Sequence, residues 1–446
     1  MPNTEIAILG AGPAAVATAC ALRRLGHEVM LIGVSRNTAV EGISARTLTL
    51  LREYGLAAET YGICGPGERV GSWAGADLVG SQECIVHRAQ LDRALFADAT
   101  SSGVPTRAER VIRHERRGAL WRVHTERERV DCLVVVDARG RRAQRESFKG
   151  PDLVAVSQRF QTRRTGRVFS RLEAIPQGWC WLADDGQGMS WLQVTCGKER
   201  SLRWGLRQHI RRCVEEVPGV AAHLSRAVWS GAPMARAATQ SLCVRPGGPG
   251  LIRAGDAAVT VDPLSGQGMY EALRSVAAVI GAARGFLSGD WSAVARFMDE
   301  RAREIFERTS ITAAHHYTAQ AERTQSPFWV EASARYRSIL PAPKAGGVHI
   351  DNRPVLNGSR IQLRRAVVTP KTPRGVWKLD AVDLPRLIEF LDATDAIDLE
   401  RAALHLSCPP TAVARALNWL SVHGLLDRSG KAATKIRDSA TRLPRS

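Results

Sequence analysis

Lysine is almost missing from this chain of 446 residues: there are seven, beside 55 arginines, and the first is Lys149. No amine side chain therefore stands before residue 149. Long apolar runs are missing too. Residues 5–22 are apolar but are broken by Gly10, Gly12 and Pro13, with no small-residue cleavage site after them, which argues against a signal peptide or membrane helix. No CxxC pair occurs among the nine cysteines, and an odd, unpatterned set fits a reducing cytosol and no metal. His315 and His316 are adjacent, not one helical turn apart, so they do not form a ligand pair. Acidic residues are outnumbered 44 to 62, giving a formal charge of +18 and a pI near 10.2. The arginines spread over 159–171, 200–212, 360–374 and the tail without the interleaved aromatics of a single-strand platform. An acidic or neutral polypeptide partner suits that charge at least as well as nucleic acid.

What the chain does have is two glycine-bearing turns. After the apolar run Ile6–Leu9 comes Gly10-Ala11-Gly12-Pro13-Ala14-Ala15, then apolar residues at helical spacing and a second run, Val29–Ile32. This is a strand, turn, helix and strand with a dinucleotide fingerprint whose third glycine is Ala15. The acid expected after the second strand is missing; Gly33, Val34 and Ser35 stand there. That loss weakens an NAD reading more than an FAD reading. Far along the chain, Gly255 to Met269 (GDAAVTVDPLSGQGM) pairs a strand exit bearing Asp256 with a glycine-rich helix entry. Asp256 can accept from sugar-type hydroxyls, and Gly266 and Gly268, after Pro263, let a flat ring touch backbone. A helix from about Met269 to Leu287 would direct its positive end at that ring. An ordinary ligand-free strand, turn and helix is the alternative.

Between the turns, Arg46 near the start of a helix is either a cofactor contact or a surface charge, and Arg88 in HRAQLDRAL has the same two readings. Residues 110–136 alternate as a β-meander, and the run Cys132–Val136 ends in Asp137-Ala138-Arg139-Gly140, a turn expected beside the cofactor. From 151 to 235 strands recur with tryptophans at 179, 181, 191, 204 and 229; alternation puts Trp179 and Trp181 on one face, Cys180 and Leu182 on the other. Individually these are core residues; as a group with Trp191 they suggest an apolar substrate pocket. Helices are expected over 291–309 and 311–322, and 341–374, with five prolines, reads as a linker or arm. Three short helices follow from Leu384, and the third offers Arg415, Asn418 and His423 as its main polar groups, too little positive charge for groove reading.

The order GAGPAA, GISARTLTLLREYGL, HRAQLDRAL, VVVDARGRR and GDAAVTVDPLSGQGM resembles the class A FAD monooxygenases of the hydroxybenzoate hydroxylase type over about the first 300 residues. The resemblance implies an α/β fold: a Rossmann-like FAD-binding domain, an inserted mixed β-sheet substrate domain and a C-terminal winged-helix-like domain. The expected bounds are 1–150 and 236–340 for the FAD domain, 151–235 for the insert, 341–379 for the arm, 380–428 for the helical module and 429–446 for a basic tail. It implies that Gly10, Gly12, Pro13, Ala14 and Ala15 hold the pyrophosphate, that Ser35, Arg46, Arg88 and Asp137 approach FAD, that Asp256 holds the ribityl chain, and that Pro263, Gly266 and Gly268 hold the isoalloxazine. Arg139 and Val259 depart from the family pattern of Asp-Gly and of His after GDAA. Electrons would come from NAD(P)H or reduced flavin and oxygen from O2, with an aromatic ring hydroxylated through a C4a-hydroperoxide; no catalytic acid or base stands out. Together with the aromatic insert, basic surface and appended module, the chain resembles the flavoproteins that hydroxylate a tryptophan of a partner polypeptide in tryptophylquinone biogenesis, as in quinohaemoprotein amine dehydrogenase maturation. A hydroxylase of free aromatics, a flavin reductase and a winged-helix nucleic-acid regulator with a flavin-sensing domain are the other readings.

Overall fold

The computed structural model describes residues 3–35, 39–56, 61–143, 147–199, 205–340, 347–394 and 398–426, the side chains of 78 and 79 excepted, together with the backbone of 437–438. The chain divides into two compact units, 1–291 with 302–340, and 292–301 with 341–446.

In the first unit, Thr4–Leu9 lies in the middle of a mainly parallel sheet. It pairs with Val29–Ile32 on one side (Ile6 opposite Val29) and Arg129–Asp137 on the other (Ile6 opposite Val134). Thr106–Arg107 and Leu251–Arg253 extend the array as parallel neighbours, and the hairpin Val111–Arg117 and Leu120–Thr125 adds on to Arg129–Asp137. Ile6 to Leu9 are fully buried, as a strand covered on both faces must be. Pro13 opens the helix Pro13–Arg24, where its missing N–H costs nothing. The strand order turns back at Thr4–Leu9, and such a reversal leaves a crevice at the strands' carboxyl ends.

A second sheet of eight strands runs Val228–Ala237, Leu153–Gln161, Met189–Gly197, Gly178–Asp184, Phe169–Ile175, Ile63–Trp73, Ala76–His87 and Val40–Ile43. The inserted region is thus not closed on itself. Three of its strands come from residues before 90, and the expected boundaries at 150 and 235 fall inside one compact unit. The alternation holds: Trp179, Trp181 and Ala183 join one apolar cluster, Cys180 and Leu182 another beneath the helix Leu206–Glu216. Trp229 departs from the expected grouping, since it packs with Phe160 on the helix side. Trp204 lies outside the described residues.

The expected helix over 269–287 is two segments, Gly268–Arg274 and Val276–Leu287, meeting at Ser275, whose hydroxyl donates to the Ala272 carbonyl. The two helices expected over 291–322 are one, Trp291–Thr324. Thr309 does not break it because its hydroxyl bonds back to the Ile305 carbonyl, and Ser310 is buried against the Gln240 amide. Pro327–Ile339 follows as a separate helix.

In the second unit, residues 347–376 are not an irregular arm. His349–Asn357 and Arg360–Thr369 form a hairpin extended by Thr372–Val376, with Pro354 and Pro373 both inside strands and the short strand Arg437–Asp438 beside His349. Proline was misleading there because it is tolerated where a strand needs no donor. The helices Leu384–Asp392, Leu399–Leu406 and Pro410–Val422 share one core with Ile350 and Val367 of this sheet, so the expected arm and module are one body.

Candidate active site

The two glycine turns meet. A Cβ added at Gly255 would lie 3.6 Å from the Ala14 Cβ and 3.2 Å from the Ala272 Cβ, so the turn after Leu251–Arg253 is pressed onto the first helix. Gly255 has a φ of +56°, open to glycine. Asp256 and Ala257 continue it as a short 3₁₀ turn, with Asp256 half-buried at the crevice.

At the first turn Gly10 takes a φ of +128°, and a Cβ there would stand 2.6 Å from the Ala138 carbonyl oxygen. Gly33, where the ribose acid was missing, explains itself sterically: a Cβ would overlap the Gly10 backbone. The helix Pro13–Arg24 has Gly12 as its N-cap and no side-chain cap, so its first N–H groups keep their capacity for an anion. The Arg88 guanidinium stands 3.6 Å from where a Gly12 Cβ would be. It donates to Glu41 at 2.7 Å and to Asp92 at 2.8 and 3.2 Å. Burial alone would lower its pKa, but Glu41 and Asp92 raise it above the ordinary arginine value, so the buried cation is permanent.

Arg46 is exposed in the first turn of Ala45–Glu53, a helix that packs against Gly268–Arg274. Ser35 is half-buried at the end of a described segment. Asp137 is fully buried, and its oxygens accept from Arg139 at 2.7 and 2.9 Å and from His114 at 3.2 Å. Burial pushes its pKa up, but these bonds outweigh it and hold the carboxyl well below the usual range. Its side chain therefore secures the strand-end turn that abuts Gly10, and is not available to a ligand.

Around Pro263 the situation is reversed. A Cβ at Gly266 or Gly268 would meet nothing within 4 Å among the described residues, so side-chain packing does not require these glycines; the φ of +61° at Gly266 is a conformation that itself favours glycine. The turn is held from behind by Asp262, which the sequence reading missed. Buried to 1% exposure, it accepts from the Leu264 N–H at 2.8 Å, the Tyr317 hydroxyl at 3.2 Å and the Tyr336 hydroxyl. The Trp179 indole N–H donates to Tyr317 at 3.3 Å, which ties the aromatic sheet to the turn. Sequence offered no signal for this network beyond the Asp-Pro pair, because its tyrosines lie 55 and 74 residues away.

The aromatic face itself gathers Trp179, Trp181 and Trp191 with Trp73, Trp329 and Tyr317, and Leu264 of the turn packs against it. Trp179 is therefore a buried core residue, 2% exposed, and its indole is held by Tyr317. The Trp181 N–H donates to Glu83 at 3.0 Å. The Trp191 N–H is buried with no acceptor among the described residues, and Arg159 lies over its ring at 5.5 Å. No group of metal-ligating side chains occurs among the described residues. In the second unit Arg415 is paired with Asp380 at 2.7 Å and His423 with the Trp419 carbonyl at 2.8 Å, so two of three candidate groove-reading groups are already engaged.

No family model matches the chain, and no curated protein matches it. Among solved structures, it is similar to the peptidyl tryptophan dihydroxylase QhpG, essential for tryptophylquinone cofactor biogenesis, at 29% identity and a TM-score of 0.79, over 95% of this chain and all of the other. The flavin-dependent halogenase CmlS matches over 99% of both chains at 17% identity and a TM-score of 0.73, and the flavin-dependent brominase Bmp2 over 77% of this chain and 95% of the other at 16% and 0.62. At those identities the halogenases share the fold. The architecture is that of the FAD-binding flavoprotein monooxygenases.

Proposed function

We propose that the chain is an FAD-dependent monooxygenase that hydroxylates a tryptophan side chain of a partner polypeptide during tryptophylquinone cofactor biogenesis, acting in the cytoplasm. One observation carries the FAD reading: two glycine turns some 245 residues apart in sequence, Gly10 and Gly255, close on each other while Gly266 and Gly268 face space that no protein atom claims. In this reading the first turn of Pro13–Arg24, with Gly10, Gly12, Ala14 and Ala15 in close approach and Arg88 beside them, holds the pyrophosphate. Arg46 contacts the FAD phosphates or ring, Ser35 is a further cofactor contact, Asp256 accepts from ribityl hydroxyls, and Pro263, Gly266 and Gly268 lie along the ring. FAD, once reduced by NAD(P)H or a reduced flavin, supplies the activation of O2. The protein's own part is to seat the indole on the aromatic face and to exclude water. Helices that could cross a membrane are absent among the described residues.

The polypeptide substrate is favoured by the likeness to the peptidyl tryptophan dihydroxylase, by the charge of +18, and by a second compact unit that a free aromatic would not require. The WCW run at 179–181 is also similar to flavin-dependent halogenases, a branch that needs a lysine set early in the chain; here Lys149 is the first lysine and is exposed at its strand's end. The test is to incubate FAD-loaded protein with reductant, labelled O2 and a tryptophan-bearing polypeptide of a tryptophylquinone enzyme, then weigh the peptide. Oxygen-sized mass steps on tryptophan are expected. An unchanged peptide beside hydroxylated free indole would move the assignment to small aromatics.

A further inference from the structure

Replacing a ring C–H of an indole by C–OH requires more than an activated oxygen. The ring becomes cationic as the C–O bond forms, and the displaced proton must go to a base. We propose that Glu83 is that base, the catalytic carboxylate of the aromatic face; this rests on the tryptophan-hydroxylase reading above. Glu83 is on Ala76–His87, two residues from Ile85, and alternation points both to the same side; Ile85 belongs to the cluster with Trp179, Trp181 and Trp191. The side chain is half-buried. Its Oε1 accepts from the Trp181 indole at 3.0 Å, which fixes the carboxylate's direction. Its Oε2 has no donor among the described residues. It occupies the place where a side chain on Gly42 would stand, so Gly42, in the strand leading to Arg46, leaves room for the carboxylate.

The carboxylate therefore has one oxygen anchored and one spare, against the aromatic cluster that Leu264 of the Pro263 turn also packs against. The balance closes with the co-reactants already named. O2 gives one oxygen to the ring carbon and one to water, NAD(P)H gives two electrons, and the ring proton passes to Glu83 and on to solvent. A positioned carboxylate of this kind contributes about 10²–10⁴ in rate. Trp181 is then a positioning residue that acts through Glu83.

The test uses full-length, FAD-loaded protein. E83Q keeps an acceptor for Trp181 while removing the charge and the base. Single-turnover oxygen insertion into the tryptophan peptide should fall by about 10²-fold or more. The Kd for FAD, read by flavin fluorescence, and the peptide affinity, read by perturbation of the flavin absorbance, should stay within about threefold, under 1 kcal/mol. Reductant should still be consumed, with oxygen appearing as peroxide. W181F, which keeps the base but frees it, should lose about tenfold, a lost-alignment effect. Insertion by E83Q within threefold of wild type overturns the assignment, and so does a parallel loss of FAD binding, which would make Glu83 a structural residue. If wild type itself adds no oxygen to the peptide, the parent reading has failed and this one falls with it; an active wild type with an equally active E83Q sinks only this one.

Discussion

The Gly10 turn and the Pro263 turn are built in opposite ways. At the first, the glycines are demanded by the protein: Gly10 lies against the Ala138 carbonyl and Gly33 against Gly10 itself. At the second, a Cβ on Gly266 or Gly268 would meet nothing within 4 Å among the described residues, and a buried carboxylate fixes the turn from behind. A turn tight against its own fold serves folding first and a ligand second. A turn open on one side and braced on the other answers to its backbone at Gly266, where φ is positive, but has neither a steric nor a positive-φ reason to be glycine at Gly268.

Gly33→Ala should break that contrast most severely. Its Cβ would overlap backbone, which cannot move as a flexible side chain can. A loss of about 3 kcal/mol or more, or failure to accumulate folded protein, is expected in chemical unfolding of the flavin-free chain. A Gly33→Ala protein of unchanged stability would mean that the first turn is not packed as described.

Asp137→Asn comes next. It leaves Arg139 and His114 facing an amide inside the fold, and removing one partner of a buried pair costs about 3 kcal/mol. The loss should appear in unfolding of the flavin-free protein, with the Kd for FAD changed only in proportion to the fraction unfolded. A selective loss of FAD affinity at full stability would return Asp137 to the ligand and blur the division between the turns.

How far the sequence could be read follows the same line. Gly10, Gly12 and the Gly255 turn were visible because each function is local: a few residues between a strand and a helix. The alternation of Trp179 and Cys180 was visible because a strand's period is two. Asp137 was read as facing the cofactor because ligands sit at the carboxyl ends of such strands, while the carboxylate turns to a hairpin whose His114 no local pattern announces. Asp262, Tyr317 and Tyr336 escaped because nothing near any one of them marks a partner. Ile63–Trp73 and Ala76–His87, and with them Glu83, carried no expectation, since their glycines and polar residues interrupt a strand pattern whose other half is 100 residues away. Trp229 was grouped by residue type, and its strand's register sent it to the other face.

Gly268→Ala sharpens the comparison from the ligand's side. The added methyl meets no protein atom, and alanine is a better helix former than glycine by up to about 1 kcal/mol, so the flavin-free protein should be as stable as wild type or more so. FAD affinity should nevertheless fall about tenfold, roughly 1.4 kcal/mol, because the methyl stands where the ring would approach. Equal affinity would remove the turn from the cofactor's seat.

The smallest effect separates the two carboxylates by the sign of their pH dependence. Burial pushes the Asp262 carboxyl above its ordinary value, despite the Tyr336, Leu264 and Tyr317 donors, whereas Asp137 is held below. A raised native pKa gives stability that is present below the unfolded value near ~3.9 and is lost as pH rises through the native value; a lowered one gives stability present above ~3.9 and lost as pH falls. Relative to wild type, Asp262→Asn should therefore gain stability as pH is raised from the ordinary carboxyl range, by at most about 1.4 kcal/mol per pH unit. The deficit of Asp137→Asn should shrink as pH falls below ~4, where the wild-type carboxylate begins to lose its charge. Unfolding of both variants across that range checks the signs together. Parallel curves would mean that the brace behind the open turn is electrostatically the same device as the clasp behind the closed one, and the distinction between them would rest on sterics alone.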